Sequence, residues 1–384
     1  MRIAIDAIPA IDRKKTGVGW YTHYLIQWLP TVDPETDYTA WYLHARDLFN
    51  KHRFFEDQEN LRERGIPFPA RVWQRLSNRT GMPRVEWTTR FDAFFAPNYI
   101  PPATRTKGLV VTVHDLAFKI LPETAPHANR FWHRYFEQSL AQAAEIITVS
   151  HATRNDLCEI YDIPPEKVTA VLSGVDLDVF KPSSEADIEE TKEELGIEGP
   201  YLLFVGGLEP RKNLRMLLRA FSQLPEELRP TLVLAGAPVH WIPGGPEIMT
   251  SALRALPDDV SGKVVMTGYV SEKQKVALLS GAEALVYPSV YEGFGMPVLE
   301  AMACGTPVLT SNVSSLPEVA GDAAILVDPY ETSAIADGMR ELLTDEELRS
   351  RLSEAGLARA QQFTWAETAR QTAKVLHRAA DRTR

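Results

Sequence analysis

Cysteine is almost missing from this chain, with Cys158 and Cys304 the two in 384 residues. Two isolated thiols cannot build a disulfide framework or a zinc site, so a reducing compartment is expected. Long apolar runs are missing too: no stretch approaches the length of a membrane span. Met1-Arg2-Ile3-Ala4-Ile5-Asp6 passes straight into a strand pattern without an apolar region of signal-peptide length. The expectation is a cytoplasmic protein, peripheral at most on the inner face of the membrane. Positive charge is in deficit, with 41 Lys and Arg against 51 Asp and Glu and a formal charge of -10. Binding a phosphate backbone needs a basic surface, so nucleic acid is excluded as the main partner.

What is present is an alternation of short apolar runs with helical segments, the pattern of parallel sheets covered by helices on both faces. Ile3 to Ile5, Thr39 to Leu43, Ala93 to Phe95, Leu109 to Val113 and Ile146 to Val149 form one strand series. A second runs through Tyr201 to Val205, Leu232 to Leu234, Val264 to Met266, Ala284 to Tyr287, Val308-Leu309 and Ile325 to Val327. A chain of 384 residues exceeds one hydrophobic core, and its length suggests about two to three domains. The fold class expected is α/β, two doubly wound Rossmann-like domains of parallel sheet facing each other across a cleft. The boundaries are 1–175 for the first domain, 176–200 for an acidic linker without strand pattern, 201–364 for the second domain and 365–384 for a last helix.

The most informative stretch is Ser289-Val290-Tyr291-Glu292-Gly293-Phe294-Gly295-Met296-Pro297-Val298-Leu299-Glu300, continuing Ala301-Met302-Ala303-Cys304-Gly305-Thr306-Pro307-Val308. It joins a buried strand through a glycine turn to a helix beginning at Pro297. Gly293 and Gly295 let the backbone approach a ligand, and the helix start favours an anion. Glu292 and Glu300 accept hydrogen bonds only, which suits sugar and ribose hydroxyls.

With seven residues between Glu292 and Glu300, the stretch resembles the donor-site signature of the retaining glycosyltransferases of family 4, also called group 1. That resemblance implies the GT-B architecture and a last helix that crosses back onto the first, acceptor-side domain. It implies that Glu300 binds the nucleotide ribose, Glu292 the sugar hydroxyls, and the backbone of Gly293, Phe294, Gly295 and Met296 the sugar and phosphate. Gly206-Gly207-Leu208-Glu209-Pro210-Arg211-Lys212-Asn213 resembles the family's diphosphate-binding turn, with Arg211 and Lys212 as the cations that stabilise the leaving group. The commonest family pattern has arginine directly after the first glycine, where this chain has Gly207. By its place after the first strand, Thr16-Gly17-Val18-Gly19 resembles the family's glycine-rich loop, whose backbone amides approach the donor's distal phosphate and the acceptor. His114 resembles the histidine that contacts the donor sugar, and Asp115 would orient its ring through the Nδ1 proton.

These residues give a catalytic set of His114, Arg211, Lys212 and Glu292 in a retaining, metal-independent hexosyltransferase without cofactor. Asp176-Leu177-Asp178 resembles the family linker more than a metal-binding Asp-x-Asp pair. The Leu208 to Asn213 form is similar to mannosyltransferases and favours GDP-mannose over UDP-glucose or a similar donor. The acceptor would be a saccharide or lipid-linked saccharide. Arg71, Arg75 and Arg79 at helical spacing fit an anionic membrane or an ordinary solvated face. The other readings are a nucleotide-sugar 2-epimerase of the same architecture and a non-catalytic sugar-nucleotide-binding relative.

Overall fold

Thirteen strands pair in parallel into two sheets among the described residues of the structure, a computed structural model that describes residues 1–12, 15–44, 53–124, 130–237 and 251–383. The first sheet holds β1 (Arg2–Asp6), β2 (Asp37–Leu43), β3 (Leu61–Ile66), β4 (Ala93–Ala96), β5 (Leu109–Val113), β6 (Glu145–Thr148) and β7 (Val168–Ala170), in the order β3-β2-β1-β4-β5-β6-β7. The second holds β8 (Tyr201–Val205), β9 (Thr231–Ala235), β10 (Val264–Gly268), β11 (Ala284–Tyr287), β12 (Val308–Ser311) and β13 (Ile325–Val327), ordered β10-β9-β8-β11-β12-β13. Both are doubly wound. The chain enters at the middle, winds to one edge and returns, so the direction reverses between β1 and β4 and between β8 and β11. Ligands of open parallel sheets bind outside the carboxyl ends of the strands at such a reversal.

Burial explains which strands form unbroken apolar runs. Every residue of β5, β8 and β11 is buried, as expected for parallel strands covered on both faces. Two strands have no counterpart among the expected ones. β3 is an edge strand with the polar sequence Leu-Arg-Glu-Arg-Gly-Ile, and β7 has three residues.

Two compact units divide the chain. One comprises the described parts of Met1–Leu116, Ala128–Gly174 and Trp365–Arg384, the other Val175–Thr364 with the helical turns Ala117–Ile120 and Pro122–Thr124. The stretch 176–200, read as a linker, is helical over Glu185–Leu195. That helix is capped by Ser184 and closed by Gly196 at φ 66°. It packs beside the helix Glu272–Ser280, whose Lys273 pairs with Asp187 and Glu190 at 3.0 Å each.

The helix Trp365–Asp381 belongs to the first unit. Trp365 stacks on Tyr24 of the helix Gly17–Val32 with ring centroids 4.8 Å apart, and Thr368 Oγ1 donates to the Leu172 carbonyl at 2.8 Å. Glu145 on β6 is 1 % exposed and receives Arg378 at 3.1 Å and Arg382 at 2.5 Å, both from this helix or the turn after it. A buried carboxylate without such partners costs several kcal/mol, so these contacts lock the helix in place.

The helix Ala70–Thr80 buries Trp73 against Trp41 and Phe68. Arg75 and Arg79 are exposed, and so are Val72, Leu76, Met82 and Trp87. The side chain of Arg71 lies outside the described residues.

Candidate active site

The two loops that follow β8 and β11, on either side of the second sheet's reversal, are sewn together. Gly206 leaves β8 at φ 144°, a conformation open to glycine, and its amide donates to the Ala235 carbonyl at 2.9 Å. A Cβ on Gly236 would come within 1.8 Å of the Gly206 carbonyl oxygen, so the tight approach at this turn joins two backbones. The Gly207 carbonyl accepts from Glu209 N–H, and a short 3-10 turn, Pro210–Lys212, follows. Asn213 then reverses the chain at φ 61° and opens the helix Leu214–Ser222. Its side chain donates to the carbonyls of Pro288 at 3.1 Å and Pro329 at 2.7 Å. Val290 N–H donates to the Arg211 carbonyl at 2.9 Å.

These backbone ties deliver a charged cluster. Glu292 Oε1 accepts from Lys212 Nζ at 2.5 Å and from the Tyr287 hydroxyl at 2.9 Å, while Oε2 accepts from Arg211 at 2.7 Å. Lys212 also donates to the Tyr287 oxygen. Arg211 reaches the Tyr291 carbonyl at 3.1 Å and pairs with Glu209 at 2.8 Å. Lys212 and Glu292 are each 6 % exposed. Burial alone would raise the Glu292 carboxyl, but Arg211 and then Lys212 hold it down at about 2. Burial and the neighbouring Arg211 push the Lys212 ammonium down, against the pull of Glu292 and Glu209. Burial, then Glu292, raises the Tyr287 phenol well above its ordinary range, so it stays a proton donor.

Lone-pair counting says what this cluster can still do. Each carboxylate oxygen has about two acceptor positions. Among the described residues Oε1 of Glu292 has both engaged and Oε2 has one, which leaves one acceptor position open. Lys212 uses two of its three donors among the described residues. The cations are already paired: Glu209 and Glu292 balance Arg211 and Lys212, so an anion arriving here competes with protein carboxylates.

The Gly293 to Met296 turn is held from behind by two serines that follow β12. Ser314 Oγ donates to the Glu292 carbonyl at 2.6 Å, and the single Ser315 hydroxyl proton is shared between the carbonyls of Glu292 at 2.9 Å and Phe294 at 2.7 Å. In a trans peptide the next N–H points the opposite way, so the N–H groups of Gly293 and Gly295 are turned away from the serines. Gly295 has φ 115°, and a Cβ there would meet Leu316 at 2.8 Å. Phe294 is buried edge-on against Phe363 at 6.0 Å. The helix Met296–Ala303 begins one residue before the expected Pro297. Glu300 on this helix is 8 % exposed and pairs with Lys275 at 2.8 Å.

In the first unit the expected glycine loop is helical. Gly17 and Gly19 form the first turn of Gly17–Val32, whose cap is Thr16. A Cβ on Gly19 would sit 2.7 Å from the Pro9 carbonyl oxygen, whereas one on Gly17 would meet nothing within 4 Å. Packing accounts for Gly19, and the open space lies at Gly17. His114, just after β5, has its Nε2 2.9 Å from the Pro97 carbonyl and packs edge-on to Tyr21 at 4.9 Å and Tyr99 at 5.8 Å. A carbonyl only accepts, so Nε2 carries the proton. Burial lowers the ring's pKa, and the neutral imidazole keeps an acceptor at Nδ1. Pro97 therefore sets the tautomer, the role assigned above to Asp115, whose own N–H donates to the Tyr99 hydroxyl at 3.0 Å. Asp176 turns its Oδ1 onto the amides of Asp178 and Val179, capping its own turn. Among the described residues no three His, Cys, Asp or Glu side chains gather as metal ligands.

Tyr287, Glu209, Ser314, Ser315 and Lys275 are the site residues that the motifs did not single out. Tyr287 sat inside an expected apolar strand, and its hydroxyl at the carboxyl end was the available signal. The serines and the lysine carry none.

The family model described as Glycosyl transferases group 1 matches residues 187–359, and that described as Glycosyltransferase Family 4 matches residues 16–179. The chain is 35% identical over 294 residues to O-antigen chain mannosyltransferase B of Escherichia coli, covering 73% of this chain and 72% of that one. It is 33% identical over 270 residues to the serotype-specific mannosyltransferase WbdA of Escherichia coli, covering 68% of this chain and 32% of that longer protein. D-inositol 3-phosphate glycosyltransferase of Corynebacterium glutamicum (strain R) is 30% identical over 249 residues, covering 62% of this chain and 58% of that one. Among solved structures, Anabaena Alr3699/HepE in complex with UDP and glucose superposes with TM-score 0.72 at 17% identity, covering 98% of this chain and 99% of that one. WaaG, a glycosyltransferase involved in lipopolysaccharide biosynthesis, gives TM-score 0.67 at 17% identity, with 97% and 99% covered.

Proposed function

The chain belongs to the group 1, family 4 glycosyltransferases of GT-B fold, and from that premise we propose that it moves mannose from GDP-mannose to a hydroxyl of a saccharide or lipid-linked saccharide, with retention and without a metal. One observation carries the reading: Glu292 gathers Arg211, Lys212 and Tyr287 at the carboxyl ends of β8 and β11, where the second sheet reverses. Charge builds on a nucleoside diphosphate as its bond to the sugar breaks, and fixed cations in a buried site stabilise that charge more than they stabilise the intact donor. Lys212 supplies its remaining donor and Arg211 its fixed positive charge. The acceptor hydroxyl bonds to the anomeric carbon as the sugar–phosphate bond breaks, and its proton passes to the departing diphosphate. Glu292 offers its one remaining acceptor position to a sugar hydroxyl, and Glu300 accepts from the ribose. His114, neutral, presents an acceptor at Nδ1.

Mannose is favoured because the relative that is 35% identical is named a mannosyltransferase. A lipid-linked acceptor is supported by exposed Val72 and Leu76 beside exposed Arg75 and Arg79 on the helix Ala70–Thr80, a pairing of apolar and basic side chains suited to an anionic lipid surface even though the whole chain carries -10. A donor panel read by nucleotide release, followed by proton NMR of the new bond, tests the proposal. Release from GDP-mannose with the donor's anomeric configuration kept is expected. Release from UDP-sugars alone would overturn the donor, and an inverted product would overturn the mechanism.

A further inference from the structure

The second signature glutamate is not alone. Lys275, on the helix Glu272–Ser280, places Nζ 2.8 Å from Glu300 Oε1. The same ammonium lies over the Phe180 ring at 4.5 Å from its centroid. Phe180 is itself buried, and its N–H is tied to the Asp176 carbonyl at 2.7 Å. Lys275 is thus held on two sides. The Glu300 side chain is 10 % exposed, and among the described residues its Oε1 bonds to Lys275 while no protein donor engages Oε2.

A glutamate carboxylate turns freely about its last bond, and that rotation spreads its four acceptor directions. Anchoring one oxygen removes the freedom and aims the two acceptor directions of the other at one place. Two adjacent hydroxyls need two acceptor directions on one side. We infer that Lys275 is a positioning residue that fixes Glu300 so that Oε2 receives both hydroxyls of a nucleotide ribose, making the site selective for ribose over 2′-deoxyribose. The ammonium has no acceptor of its own and does not compete for the hydroxyl protons. This inference rests on the reading of Glu300 as the ribose ligand.

The test uses the full chain and calorimetric titration with GDP and UDP, each paired with its 2′-deoxy form. The wild type should prefer the ribonucleotide by roughly ten-fold or more, the size of one hydrogen bond to a charged group. In Lys275→Met the preference should fall toward unity, with the ribonucleotide weakened and the deoxynucleotide nearly unchanged. Lys275→Arg should restore it, and the ligand-free unfolding midpoint of each variant separates misfolding from mispositioning. If Lys275→Met keeps the wild-type ratio, or weakens both forms by one factor, the positioning role is wrong. If Glu300→Gln also keeps the ratio, or if the wild type binds neither nucleotide, the fault lies in the assignment of Glu300 and the inference goes with it.

Discussion

Removing the Glu292 carboxylate should make the protein less stable while leaving it at least as receptive to a diphosphate. In Glu292→Ala, Arg211 and Lys212 lose their shared counter-ion, and Tyr287 loses its acceptor, in a site where Glu292 is 6 % exposed. Breaking a buried pair by deleting one partner costs about 3–5 kcal/mol. An independent figure comes from the carboxyl itself: a shift from its ordinary 4.5 to about 2 is worth about 3 kcal/mol. At about 2–4 °C per kcal/mol for a unit of this size, the midpoint should fall by roughly 6–20 °C. Because the folded pKa is depressed, that stability is full above the unfolded value of 4.5 and is lost as pH falls through about 2. The gap between wild type and variant should be flat from pH 8 to pH 5 and close only below that. A nucleoside diphosphate replaces the missing negative charge, so it should raise the variant's midpoint by more than it raises that of the wild type. Differential scanning calorimetry with and without GDP or UDP, over this pH range, measures all of it. A gap that closes between pH 8 and pH 5, or nucleotide protection weaker in the variant than in the wild type, would show that Glu292 does not act as the counter-ion of these cations.

Tyr287→Phe removes a hydroxyl that touches both Lys212 and Glu292, and should cost about 1–2 kcal/mol in chemical denaturation and lower kcat with little change in nucleotide affinity. Lys212→Ala should reduce transfer by about 3–4 kcal/mol of activation free energy, whereas EDTA should leave the wild-type rate intact; a rate that vanished with EDTA would contradict the metal-independent reading. Asp6, 5 % exposed with Oδ1 accepting from the Ile8 amide at 3.1 Å, has its pKa raised by burial to about 7. A raised carboxyl contributes stability below its unfolded value of 3.8 and loses it as pH rises through 7, so Asp6→Asn should stabilise by up to roughly 4 kcal/mol at pH 8 and by nothing at pH 3. Flotation with phosphatidylglycerol vesicles should recover the wild type and lose Leu76→Glu and Trp87→Glu; equal flotation of all three would remove the lipid-surface reading.

Strands were legible wherever both faces of the sheet are covered, because burial on two sides demands an unbroken apolar run such as Tyr201 to Val205. β3 escaped because an edge strand has no such demand, and its Arg62 and Arg64 side chains are exposed. The strand, turn and helix that carry Glu292 and Glu300 were legible because they lie close in sequence. What joins those loops was not. The contact between Arg211 and Glu292 spans 81 positions, and that between Lys275 and Glu300 links two helices. Local pattern says that Glu292 and Glu300 can accept hydrogen bonds. Only the folded chain says from which donors, and so that Glu292 is largely engaged by Arg211, Lys212 and Tyr287. Gly19 illustrates the converse, a reason for glycine that the sequence does not show: the Pro9 carbonyl occupies the place of its missing side chain.

The placement of the helix Trp365–Asp381 has a consequence for biosynthesis. A ribosome delivers that helix after every strand of the second sheet, yet Trp365 and the arginines that meet Glu145 belong to the first unit. During translation β6 holds a glutamate whose cations are still unsynthesised, and the Tyr24 ring lacks its stacking partner. The first half to emerge is therefore the last to be finished. For the time needed to make about 190 more residues, at 5–20 residues per second, it waits without its last helix, a delay on the order of ten to forty seconds.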